Sequence, residues 1–317
     1  MRAAVHDRYG PPEVVSVRDV AEPEPRESEV LVRVVASTVN RTDTAYRAGR
    51  PWFARPLYGG WRRPRATVLG CEFAGVVEAV GEAVGDRAPG DRVYGYVEGR
   101  FGAHAELLVV PAGGWIDPVP DGLDLTDAAV LTEGPHYAWA FCERLHVGTG
   151  QAVLVHGATG AIGSAAVQLA AARGAVVTAV CDAEHADLVR RLGAHRVIAR
   201  DRTDFTQDPE RFDVVLDAVG KSSFAACRRL LRPAGAYASS ELGRGGVNVL
   251  LAAAPGVRVR FPAPLPEGPT RRGIHDLITS GRLVPVVDRH YPLEEIVAAH
   301  HYVESGRKVG SVVVDVG

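Results

Sequence analysis

Cysteine, lysine, net charge and long apolar runs are all scarce in this chain, and each scarcity removes a class of protein. The four cysteines, Cys71, Cys142, Cys181 and Cys227, stand far apart with no Cys-x-x-Cys pair. That spacing excludes the disulfide framework of a small secreted domain, and a reducing cytoplasm is the expected compartment. No stretch of about 20 apolar residues escapes interruption by Gly, His, Gln or Arg, and residues 1–10 lack the basic-then-apolar order of a secretory signal. Neither export by that route nor a membrane span is expected. The formal charge is -2 and the sequence pI about 6.6, which leaves no overall field to attract nucleic acid or an anionic membrane. A small molecule is the expected partner. Only Lys221 and Lys308 are lysines; the other basic residues are arginines scattered along the sequence, a compositional bias with no function attached to it.

What is present is core material and a change of rhythm. Hydrophobic residues make up 46 % and charged residues 23 % of 317, ordinary globular usage in a chain long enough for two domains. As far as about Pro120 the text is short apolar runs split by Gly and Pro, such as residues 29–35, 75–80 and 91–96, which predicts a β-rich, barrel-like domain. Beyond it the period changes. A helix is expected over Leu125–Leu145, capped by Thr126 or Asp127. Strands follow at Ala152–His156, Val176–Val180, Arg196–Ile198 and Val214–Asp217, alternating with helices at Ile162–Arg173, Glu184–Leu192 and Ser222–Leu231. Repeated βα units imply a parallel sheet with right-handed crossovers. A Pro-rich stretch at 262–269 interrupts, and the tail offers helices at Thr270–Ser280 and Leu293–Ser305 and a strand at Ser311–Val316.

The run from Val153 to Gly163 is an apolar strand, a glycine turn and the start of an Ala-rich helix, with Gly157, Gly160 and Gly163 spaced G-x-x-G-x-x-G. Glycines let a backbone turn tightly beside a pyrophosphate whose charge sits at the helix N-terminus. Asp182 falls 19 residues after Gly163, where a carboxylate accepts hydrogen bonds from an adenosine ribose. A helix cap needs the same short acid at the same place, so both roles stay open. Candidate cofactor contacts are Gly157, Thr159, Gly160, Ala161, Ile162, Gly163, Asp182, Glu184, Arg200, Ala218, Val219 and Gly220.

At these residues the chain resembles the zinc-independent, quinone oxidoreductase-like branch of the medium-chain dehydrogenase/reductases. The opening Met1–Val5, the segments 36–43 and 69–77, then 212–220, 231–235 and 291–296, carry the likeness in order from end to end. The resemblance implies an α/β fold, with a GroES-like catalytic domain built from residues 1–122 and 265–317. Residues 123–264 would form a Rossmann doubly wound parallel sheet between those two segments, with a substrate cleft where the domains meet. It implies hydride transfer from NAD(P)H to an activated C=C or C=O of an enone, quinone or aldehyde. It also implies a homodimer paired through an edge strand near Val257–Phe261. No metal is expected. Zinc-dependent relatives place Cys, His and Cys where this chain has Asn40, Cys71 and Glu133, and asparagine is a poor zinc ligand.

Two departures from that pattern matter. Relatives that use NADPH carry a small hydroxyl residue and a basic residue where Asp182 and Glu184 stand here, so NADH is favoured over NADPH; Arg200 or Arg202 from the next loop would either meet a 2′-phosphate or be solvated loop arginines. At 131–137, Glu133 takes an apolar position and Tyr137 that of a nicotinamide-contacting Thr. A helix starting there puts Glu133, His136 and Tyr137 on one face. These three, with Asn40, Thr42 and Asp43, are the candidate catalytic residues. Glu133 or His136 would be proton donor or base, and Asn40 would polarise a substrate carbonyl. The competing bland readings are a helix face turned to water and an Asx-type turn. A loop in which Arg47, Arg50, Arg55, Arg62, Arg63 and Arg65 interleave with Trp52, Phe53, Tyr58 and Trp61 either steers substrate or is a solvated face. Two other functional readings stay open: a non-redox lyase or cyclase using Glu133 and His136, and a non-catalytic dinucleotide-binding protein.

Overall fold

The computed structural model describes residues 1–58, 60–97, 99–240, 247–253, 258–260 and 267–317. They form two compact units, residues 1–133 with 285–317 and residues 134–284.

The first unit is built on a seven-stranded sheet whose central member, Glu29–Val39, pairs antiparallel with Glu72–Val80, Ser311–Asp315 and Leu107–Pro111. Alternation along it buries Val30, Val32 and Val34 on one face. With Phe73, Ile116, Val312 and Val314 they form one core cluster, closed by Ile296, Ala299 and Val303 of the helix Ile296–Glu304. Residues from both ends of the sequence therefore share one core.

The second unit carries six parallel strands in the spatial order Arg196–Ala199, Val176–Cys181, Ala152–His156, Phe212–Asp217, Leu231–Ser239, Val259–Arg260. Numbered along the unit this is 3-2-1-4-5-6, the order of a dinucleotide-binding Rossmann sheet, with its switch point between the first and fourth strands. Leu154, Val215, Tyr237 and Phe212 fill the core beneath it.

Several elements differ from expectation. The single helix over Leu125–Leu145 is two, Leu125–Ala128 and Glu133–Arg144, and neither Thr126 nor Asp127 is the cap, which falls at Asp124 without a side-chain bond. Ser222–Leu231 holds only the short helix Phe224–Cys227, capped by Ser223, and a 3-10 turn. The strand Leu231–Ser239 was not expected from the sequence; its Pro, Gly and three alanines are weak strand formers, and the sheet overrides them.

The limits of the units also differ from those expected. Glu267–Thr279 belongs with the second unit, where Gly273 sits so close to the Trp139 ring that a Cβ would lie 2.1 Å from it. Val284 and Gln168 exchange hydrogen bonds of 2.8 and 3.1 Å in the same unit.

Candidate active site

In the first unit the chain leaves the central strand at Asn40 and turns into the helix Arg41–Ala48. Asn40 is its cap: Oδ1 accepts from the Asp43 N–H at 2.9 Å while the Asp43 carboxylate accepts from the Asn40 N–H at 3.0 Å, a reciprocal capping box. Asp43 Oδ1 also accepts from the Gly70 N–H at 2.9 Å. The Asn40 amide nitrogen is directed at Cys71 Sγ, 3.4 Å away. Asn40 and Asp43 thus have a structural role as the cap and lock of this turn, the Asx-type reading of the segment. Burial pushes the Asp43 carboxyl up to about 7 against the pull of those two N–H groups.

The same helix start turns Thr42 toward Glu133, whose Oε1 accepts from the Thr42 hydroxyl at 2.6 Å. Glu133 is 6 % exposed and begins the helix Glu133–Arg144, so it does not meet bulk water. Beside it lies Glu72, 3 % exposed, at the start of the strand Glu72–Val80. Glu72 accepts from Thr38 Oγ1 at 2.6 Å, from Thr132 Oγ1 at 2.9 Å and from the Glu133 N–H at 2.7 Å. Burial first, then the neighbouring Glu72 charge, holds the Glu133 carboxyl well above the usual range; the Thr42 hydroxyl and the Lys308 ammonium pull the other way. Lys308, half-buried, donates to the Gly310 carbonyl at 2.5 Å. A buried carboxyl with a raised pKa beside a hydroxyl has the chemistry of a candidate proton source.

Zinc does not suit this ground. The Cys71 thiol is pushed well up by burial and then by the Asp43 and Glu133 charges, Asn40 is an amide already engaged, and the Glu133 oxygen faces Thr42. Among the described residues no group of three or more His, Cys, Asp and Glu side chains is arranged around a common metal position.

Of the other candidates, His136 and Tyr137 belong to the second unit, where their rings meet edge to face at 5.5 Å. His136 is buried and burial lowers its pKa, so it is neutral at pH 7. Arg47 leaves the proposed arginine loop altogether: it is fully buried, donating to the Gly10 carbonyl at 2.7 Å and to Glu304. Trp52, Phe53 and Trp61 are exposed; the side chain of Tyr58 lies outside the described residues.

The glycine turn of the second unit has the geometry of a cradle. Gly157 takes φ +78°, and a Cβ on Gly163 would lie 2.0 Å from the Gly157 carbonyl oxygen, so only glycine allows the helix Ala161–Ala172 to start this close to the turn. The Gly160 N–H is spent on the Gly157 carbonyl at 3.1 Å, and the N–H groups of the helix start from Ala161 on are placed for a pyrophosphate.

On the far side of the switch point, Asp217 is fully buried and holds the loop 218–222 by accepting from the Val219 and Ser222 N–H groups at 3.2 and 2.9 Å. It also meets His156 Nδ1 at 3.1 Å and the Tyr237 hydroxyl at 3.2 Å. Burial raises its carboxyl, but these partners outweigh it and hold the group below the usual range. The cradle and this loop fit a dinucleotide. Asp182, where a cap was one reading, makes no cap bond; its Oδ2 accepts from Arg200 at 2.7 Å, which lowers its pKa. Glu184 stands exposed beside His185 at 3.4 Å.

Sequence reasoning missed Glu72, Lys308, His156 and Asp217. A lone acid in the apolar run 69–77, another ending the strand Phe212–Asp217, and one of two lysines in an arginine-rich chain were the available signals.

Comparisons with known proteins agree with this layout. Residues 26–121 match the alcohol dehydrogenase GroES-like domain family and residues 192–314 the family described as zinc-binding dehydrogenase. The chain is 30 % identical to a 2-methylene-furan-3-one reductase of Solanum lycopersicum, over 99 % of this chain and 79 % of that one. It is 32 % identical to a quinone oxidoreductase of Pseudomonas aeruginosa, over 96 % and 97 %. The solved quinone oxidoreductase of Coxiella burnetii superposes with a TM-score of 0.89 at 26 % identity, covering 100 % of this chain and 99 % of that one.

Proposed function

This chain belongs to the quinone oxidoreductase-like branch of the medium-chain dehydrogenase/reductase family, and from that premise we propose that it reduces the C=C bond of a small conjugated carbonyl compound with NADH, Glu133 supplying the proton. Relatives named as reductases of a methylene-furanone and of quinones support the substrate class. The observation that carries the residue assignment is the Thr42–Glu133 hydrogen bond at 2.6 Å on a buried carboxyl.

Gly157, Thr159, Gly160, Ala161, Ile162 and Gly163 would hold the dinucleotide pyrophosphate, Ala218, Val219 and Gly220 would flank it, and Asp182 would take the adenosine ribose. When bound, the reduced nicotinamide supplies a hydride to the β-carbon of the acceptor. Negative charge then builds along the enolate, and the α-carbon needs a proton. Thr42, half-buried, gives its hydroxyl proton to that carbon once the 2.6 Å bond is reversed, with the protonated Glu133 oxygen turned to donate to Thr42 Oγ1; Glu133 then ends as carboxylate and the product is neutral. The preference for NADH rests on Asp182: Arg200 is spent on it rather than left for a 2′-phosphate, and Glu184 adds a second negative charge nearby. The edge strand Val259–Arg260 serves as the pairing edge of a homodimer; the Val257 and Phe261 expected in the same strand lie outside the described residues.

Glu133→Gln keeps the shape and removes the titrating proton, so kcat on the best enone or quinone should fall by about 10²–10⁴-fold, the usual contribution of a positioned acid. NADH affinity, read by fluorescence, should hold. An unimpaired Glu133→Gln enzyme would sink the assignment.

A further inference from the structure

The carboxyl that carries the proton does not stand alone, and its neighbour is bonded in a way that decides which of the two is charged. Glu72 meets three donors: Thr38 Oγ1 at 2.6 Å on Oε2, and Thr132 Oγ1 at 2.9 Å and the Glu133 N–H at 2.7 Å on Oε1. The backbone N–H can only donate, so at least one Glu72 oxygen is fixed as an acceptor. Glu133 has a single side-chain partner, Thr42, on Oε1; a hydroxyl can accept as well as donate, so no Glu133 oxygen is fixed as an acceptor and either can carry a proton. Two buried carboxyls this close do not both ionise readily, and the one with more donors keeps the charge. Resting on the reading of Glu133 as proton donor, we propose that Glu72 is a positioning residue whose ionised carboxylate, locked by three donors, keeps the pair's single proton on Glu133 at neutral pH.

The other groups facing the pair fit this division. From the helix Arg41–Ala48 comes Asp43, whose charge works against ionisation of both glutamates. From the segment before the strand comes Cys71, held as a neutral thiol by burial and the nearby carboxylates. From the turn before Ser311–Asp315 comes Lys308, drawn toward both glutamates and itself near Arg41. Burial leaves both carboxyls raised, but at Glu72 the Thr38, Glu133 and Thr132 donors offset part of it, whereas Glu133 has Thr42 alone with the Glu72 charge added. When the proton leaves for substrate, the pair carries two charges, and Lys308 is the cation at hand to offset the second. Lysine is rare in this chain, and this one stands beside the proton donor.

The test is Glu72→Gln, with the protonated-carboxyl infrared band of Glu133, identified by its absence from Glu133→Gln, titrated in the enzyme without substrate. With the Glu72 charge gone, the band should disappear at a pH lower by one unit or more than in wild type. The alkaline limb of kcat should move with it, so that at a pH above both limbs activity falls about tenfold for each pH unit that the limb moves, while kcat at the acid plateau holds. Should Glu72→Gln fail to fold, Thr132→Val removes one of the three donors, makes Glu72 a poorer carboxylate than in the wild type though still the better bonded of the two, and should move the band in the same direction by less. A band that stays in place in a folded variant overturns the proposal. A band that moves while the kcat limb does not supports the charge assignment within the pair and overturns the proton-donor reading of Glu133 instead.

Discussion

Acidifying the protein should charge imidazoles that the first unit holds neutral, and His104 lets the cost be worked out. His6, His104 and His300 are all buried, the rings of His104 and His300 meet edge to face at 6.2 Å, and the fully buried Arg47 adds its charge nearby. His104 Nε2 donates to the Thr38 carbonyl at 2.7 Å, yet burial outweighs that bond and lowers its pKa from 6.5 to about 4. The folded value lies below the unfolded one, so the unfolded chain binds more protons as pH falls below about 6.5, and stability is lost between there and about pH 4. At pH 4.5 the loss from His104 alone comes to about 2–3 kcal/mol, a large share of the roughly 5–15 kcal/mol of an ordinary domain. Asp43, raised to about 7, works in the opposite direction, because acid relieves the burial of its charge. The net slope of the wild type therefore hides the effect, and a comparison exposes it. His104→Gln keeps an N–H for Thr38 and cannot titrate, while the contribution of Asp43 is common to both proteins. Urea unfolding at pH 7.5 and 4.5 should show the destabilisation caused by His104→Gln shrinking by about 2–3 kcal/mol on acidification. An equal difference at both pH values would refute the reasoning.

Asp182→Ser with Glu184→Arg should shift the ratio of kcat/KM toward NADPH, since the change removes repulsion, releases Arg200 from its pair and adds a phosphate partner; a wild type that already prefers NADPH would contradict this account of the two acids. The Arg258 carbonyl bonds inward to the Tyr237 N–H, so the N–H of Val259 points away from the sheet, and Val259→Pro, which deletes that donor from the pairing edge, should turn a dimer into monomers in sedimentation. A wild type that sediments as a monomer at micromolar concentration would remove the edge-pairing idea.

How far the sequence could be read depended on whether the signal was local. The strand Ala152–His156, the glycine turn and the position of Asp182 were legible because a tight turn and a strand end are enforced within a few residues. The strand Leu231–Ser239 was not, because its place is fixed by Phe212–Asp217 beside it and not by its own propensity. At the site, Glu133 stood out as an acid in an apolar position. Its three-donor neighbour did not, since Thr38, Glu72 and Thr132 meet only once three separate segments are folded together. Asn40 stayed open between two readings for a related reason: a residue that suits a polarising amide also suits a capping box, and the box becomes visible only with the helix behind it.

The pairing of Glu29–Val39 with Ser311–Asp315 also dictates an order of events during synthesis. The central strand of the first unit leaves the ribosome long before one of its sheet neighbours, Ser311–Asp315, with Val312, Val313 and Val314 fully buried, has been made. The second unit, by contrast, is continuous in sequence and has all of its strands available before residue 285. Domains fold as their residues become available, and contacts between distant residues are slow to form. The nascent chain thus carries a completed second unit while the first, with Glu29–Arg33 already able to pair with Leu107–Pro111, still waits for Ser311–Asp315 to cover Ala36–Val39.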